Sequence, residues 1–160
     1  MIDFYRKMIV FSMLMLLSVV FIFSNSLKNS EESHEDSDVI VEVVEDVADK
    51  VVPENQLNWS YIVRKSAHIF EFFVLGVFTM LFFSQLDQKI SLGILYAIIF
   101  VFVIASADEF IQRFTGRTSC FQDVAIDVLG ASIGIGFILL LRLLKKGIIN
   151  RMNGTVFMKK

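Results

Sequence analysis

The sequence predicts an all-α, polytopic membrane protein: four transmembrane helices with an outward amphipathic helical segment, folded as one domain over residues 1–160. Three observations carry that expectation. Hydrophobic residues make up 55% of the chain and the mean hydropathy is +0.65, too apolar for an ordinary soluble domain. Four runs, 8–23, 72–83, 90–107 and 128–141, contain no charged residue. None of them alternates apolar and polar residues as a barrel strand would, and backbone groups in lipid must be bonded within their own segment, which leaves helices.

A helix needs about 20 residues to cross a hydrocarbon core of about 30 Å. Each run falls short alone, and its flanks complete it, predicting helices near 7–24, 61–84, 89–113 and 123–144. Arg6 and Lys7 precede the first. That start resembles a signal-peptide n-region, but Ser24-Asn25-Ser26 is a weak cleavage site, so the helix is expected to stay as an anchor. The segment 25–60 is acidic, with ten Asp and Glu between Ser24 and Ser60 against Lys28 and Lys50. From Ser37 onward Ile40, Val43, Val44, Val47, Ala48 and Val51 follow helical spacing until Pro53, which predicts an amphipathic helix lying on the outer membrane surface or against the bundle. A short strand through 39–44 is the alternative, because Val is a modest helix former. The second helix runs back across, the third returns after a turn at 84–89, and the fourth leads into a basic tail, 142–160, with six Arg and Lys and no acid.

The bases set the expected orientation. An even helix count puts both termini on one side, and the positive-inside rule makes that side cytoplasmic in a cell membrane. The acidic segment then faces outward.

The formal net charge is −2, and no basic patch interleaved with aromatics is present, which argues against nucleic acid as a partner. The single Cys120 forms no intrachain disulfide and reads as a packed thiol; His34, in the acidic segment, reads as solvated. His-Glu-x-x-His and a glycine-rich phosphate loop with Lys are both missing.

Three ionisable clusters interrupt the apolar pattern: Arg64 to Glu71, Asp108 to Arg113, and Arg117 with Asp123 and Asp127. Each charge at hydrocarbon depth costs roughly 2.5–3.5 kcal/mol on insertion scales, so such groups mark function or a tight polar network. The predicted topology brings all three to the same outward end. Lys65, His68 and Glu71 recur every third residue down one side of their helix, with Arg64 and Lys65 able to snorkel outward. Asp108 and Gln112 share a face, with Glu109 adjacent; Asp123 and Asp127 share another. Gly130 and Gly134 form a Gly-x-x-x-Gly spacing that lets helix backbones approach, and Ser132 and Gly136 are expected to join it. The candidate binding residues are therefore Arg64, Lys65, His68, Glu71, Asp108, Glu109, Gln112, Arg117, Asp123 and Asp127. His68 with Asp108 or Glu109 is the candidate acid–base pair if there is catalysis. No cofactor and no metal are expected, since His68 is the only histidine of the clusters and a zinc site would lean on carboxylates.

Phe23-Ser24-Asn25-Ser26, Arg64-Lys65-Ser66-Ala67-His68 with Glu71 and Leu75-Gly76, Asp108-Glu109-x-x-Gln112, Gly116-Arg117, and Asp123-x-x-x-Asp127-x-x-Gly130 with Gly134 together resemble the VanZ-like family of small bacterial membrane proteins. The resemblance spans most of residues 23–141 and adds Gly76 to the packing glycines. The family often carries Asn where this chain has Asp127, so the Asp adds a buried charge or proton site. The resemblance implies a cell-envelope role; the founding member is associated with resistance to teicoplanin, a lipidated glycopeptide. It does not imply a reaction. Three functions follow as expectations: binding of a lipid head group, lipid-linked wall precursor or lipoglycopeptide; an enzyme acting on a lipid-linked substrate; or a structural subunit with the clusters as glue.

Overall fold

The structure, a computed structural model, describes residues 1–28, 41–42, 44, 58–86, 89–115 and 121–157, and of 149–157 the backbone only. It is all-helical, with no strand among the described residues: α1 (Ile2–Ser26), α2 (Trp59–Phe83), α3 (Ile90–Phe114) and α4 (Phe121–Phe157). The 25 residues of each of α1 to α3 reach about 37 Å at 1.5 Å per residue, enough to cross a bilayer with tilt. In α4 the apolar span is Phe121–Ile148, and the helix runs on through much of the basic tail. The expected amphipathic helix lies outside the described residues, apart from Val41, Glu42 and Val44, which are helical.

The helix ends are chemically marked. Asn58 caps α2, its side-chain oxygen accepting from the Tyr61 N–H at 3.0 Å. Asp123 lies in the first turn of α4 and Arg113 in the last turn of α3, each the favourable sign for the helix dipole there.

Leu17, Val20, Phe110 and Leu143 each remain more than half exposed, surface that a soluble monomer would rarely leave bare and that suits lipid chains. Inward, one apolar layer packs Ile22, Phe72, Leu75, Val101, Ala105 and Ala131. A second gathers Met80, Ala97, Ile135 and Ile138 farther along α2 and α4.

The largest helix–helix contact joins α2 and α4, and glycine is its cause. A Cβ on Gly134 would lie 2.2 Å from the Phe73 carbonyl oxygen; one on Gly76, 2.2 Å from that of Ala131; one on Gly130, 2.6 Å from that of Ile69. Without a hydrophobic drive between helices in lipid, close backbone approach of this kind is what holds them together. Ser132 and Gly136 do not join the contact, contrary to expectation. Both are exposed, Gly136 has nothing within 4 Å of its would-be Cβ, and Ser132 bonds back to the Val128 carbonyl of its own helix at 2.7 Å. Two residues along a helix is a turn of about 200°, so positions 132 and 136 point away from 130 and 134.

Candidate functional site

Antiparallel packing brings the C-terminal ends of α1 and α3 beside the N-terminal halves of α2 and α4. Asp108 and Asp127 lie about 9 Å, and His68 about 14 Å, along the axis from the near ends of their helices. Asp108 is fully buried and stands at the centre. It accepts a short hydrogen bond from the Ser26 hydroxyl on α1 and a bond of 2.7 Å from the Gln112 amide one turn along α3. His68 Nδ1 on α2 lies 3.9 Å from Asp108 Oδ2 and 3.7 Å from Asp127 Oδ1 on α4. Asp127 is 2% exposed, and its Oδ2 has no hydrogen-bond partner among the described residues. All four helices thus supply one polar cluster.

Around this centre sit two further cross-helix bonds. Lys65 makes a close ion pair with Asp123 of α4 and lies 5.5 Å over the Tyr61 ring. Instead of snorkelling to head groups, it spans two helices. Asn25 of α1 donates to Glu71 of α2 at 2.8 Å. Glu109 is buried and Arg64 half-buried, with the Arg64 Nε lacking a partner among the described residues. Arg117 lies outside the described residues.

The sequence-predicted residues His68, Asp108, Gln112 and Asp127 therefore meet at one centre, with Lys65–Asp123 and Glu71 around it. Asp127 is the nearer carboxylate to His68, a pairing with no precedent in the spacing because it lies between helices. Asn25 and Ser26 were absent from the candidate set. Their signal is faint: two small neutral polar residues at the end of an apolar run, weak in both hydropathy and charge. Ser26 is 1% exposed, and its carbonyl also accepts from Thr115 Oγ1 at 3.2 Å. Ser26→Ala leaves the buried Asp108 carboxylate one donor short and is expected to cost about 1–3 kcal/mol of unfolding free energy. Thermal unfolding in detergent reads the loss, and a melting point equal to wild type would contradict it.

A groove of about 420 Å³ opens beside the cluster between α1 and α2. Leu14, Leu17, Phe21, Phe70 and Val74 line it, and Glu71 is its single charged residue.

These features define the class: a multi-pass helical membrane protein with a buried polar cluster toward one end of its bundle. The family model described as VanZ/LLP1 matches residues 9–142, most of the chain, and the protein belongs to that VanZ-like family. No curated protein and no solved structure matches it.

Proposed function

We propose that the protein binds, at an outward-facing end of the bundle in the cell membrane, an envelope ligand with an anionic head and a hydrocarbon tail. A lipid head group, a lipid-linked wall precursor and a lipoglycopeptide share that chemistry. The supporting observation is the junction of the apolar groove with the polar cluster through Glu71, which Asn25 ties to α1. The groove takes the tail. Arg64 and Arg117 meet phosphate or carboxylate in bidentate fashion, and Lys65, paired with Asp123, adds positive charge beside them. His68, Glu71, Asp108, Glu109, Gln112, Asp123 and Asp127 shape and neutralise the head-group site. Family membership fits an envelope protein, and glycopeptide resistance of the teicoplanin type is the finer form of this reading. With both termini cytoplasmic, the cluster meets such ligands from outside.

The test is a deletion strain challenged with teicoplanin and complemented by variants at matched abundance. Deletion is expected to raise susceptibility, and Lys65→Ala and His68→Ala are expected to restore less than a tenth of the wild-type protection. Full rescue by both variants would remove the reading.

A second reading, an enzyme acting on a lipid-linked substrate, draws on His68 Nδ1 lying 3.7 Å from Asp127 and 3.9 Å from Asp108, near enough for proton transfer through one water. It requires product formation by purified protein that His68→Ala abolishes while the fold persists.

A further inference from the structure

We infer that His68, Asp108 and Asp127 form a binding site for one divalent transition-metal cation of the zinc or manganese class. One ligand atom from each of the three residues lies within 4.8 Å of the other two. The three residues come from α2, α3 and α4, so the site exists only in the assembled bundle. Metal–nitrogen and metal–oxygen bonds of about 2.0–2.2 Å put donor atoms around one ion about 3–3.5 Å apart. The His68 gaps of 3.7 and 3.9 Å, and a carboxylate-to-carboxylate gap of no more than 4.8 Å, must shorten to that spacing by side-chain rotation.

Three further observations favour a cation over a simple polar contact. Asp108 and Asp127 are both buried beside a single imidazole, so even a protonated His68 leaves the group with one negative charge too many if both carboxylates are ionised. Asp127 Oδ2, buried and with no hydrogen-bond partner among the described residues, offers a second oxygen from a side chain that already faces the site. The Ser26 hydroxyl and the Gln112 amide both donate to Asp108, the outer-shell arrangement that orients a ligating carboxylate. One imidazole with two carboxylates is a mixed set. Carboxylates suit manganese as well as magnesium and calcium, and imidazole suits zinc, so the mixed set points to zinc or manganese. The clusters' lone histidine pointed away from a metal in the sequence; two carboxylates from separate helices supply what the missing histidines would have.

The inference concerns residues that the proposed head-group site shares, and it is tested without lipid ligand or antibiotic. The full chain, purified in detergent and stripped with a chelator, is titrated with zinc chloride and separately with manganese chloride by calorimetry, and the retained metal is counted after desalting. One equivalent of at least one ion per chain is expected, with a rise in the thermal midpoint. His68→Ala and Asp127→Asn are each expected to weaken binding by more than about tenfold. Absence of stoichiometric uptake of either ion by the wild-type chain would overturn the site, whatever the variants do. So would uptake of several equivalents that survives His68→Ala, the signature of loose binding to the acidic residues between 31 and 54. Stoichiometric metal in a protein that gives no antibiotic phenotype would keep this site and remove the lipoglycopeptide form of the proposed ligand, so the two readings fail separately.

Discussion

Gly134→Leu is expected to destroy the folded bundle, with a loss above about 3 kcal/mol. A Cβ at this position meets the Phe73 carbonyl oxygen at 2.2 Å and the Val77 nitrogen at 3.0 Å. Both are backbone atoms of α2 inside a helical ladder, so no side chain can swing away to make room. Ordinary contact lies near 3.4–4 Å, so α2 and α4 must separate by more than about 1 Å. Overpacking usually costs about 1–3 kcal/mol, and this case exceeds that range because the displaced surface is the largest helix contact in the molecule. The same separation parts the Lys65–Asp123 pair. Gly136→Leu is the internal comparison: it meets open space and is expected to fall within about 0.5 kcal/mol of wild type. Thermal unfolding in detergent and abundance in the membrane measure both variants. Equal melting of Gly134→Leu and wild type would refute the close glycine contact.

Asp108→Leu is the second large effect, expected at about 2–4 kcal/mol. Single hydrogen bonds between membrane helices average only about 0.6 kcal/mol, because the separated helices find other partners in the membrane. Asp108 exceeds that figure because one carboxylate serves Ser26 from α1, Gln112 on its own helix and His68 from α2. Its removal strands several buried polar groups at once. Leu matches the side chain in heavy-atom count and branching and leaves no cavity, although its methyls are bulkier than the carboxylate oxygens and add some overpacking. Asp108→Asn keeps one acceptor oxygen and is expected to fall between Leu and wild type. Chemical or thermal unfolding of the three proteins orders them. If Asp108→Leu proved as stable as wild type, the cluster would have no part in holding the bundle, and its burial would have to be explained by ligand chemistry alone.

The fold was open to reading because hydropathy and run length are local properties. Residues 90–107 carry no charge, and no neighbour needed to be known to see a span there. The gathering of His68, Asp108 and Asp127 was half legible: antiparallel helices had to bring their turns of helix to one end, but a turn count gives depth and not the partner across the gap. Lys65 shows the difference. Its long stem fits a snorkelling reading equally well, and only the position of Asp123 on α4 turns it inward. Ser132 and Gly136 share the small-residue composition but not the helix face that the 3.6-residue period gives Gly130 and Gly134. Asn25 and Ser26 stand in the family motif but carry no charge to mark them as site residues, since their importance comes from what they touch.

The position of Asp127 on the last helix has a consequence for biogenesis. The chain leaves the ribosome with His68 and Lys65 on its second hydrophobic segment and Asp108 on its third, yet Asp123 and Asp127 are made only with the fourth. Until then Lys65 and His68 lack their carboxylates on α4, and Gly76 lacks the Ala131 backbone that it packs against. The cluster is therefore complete only when the last helix is, and a copy truncated before α4 is expected to be degraded faster than the full chain.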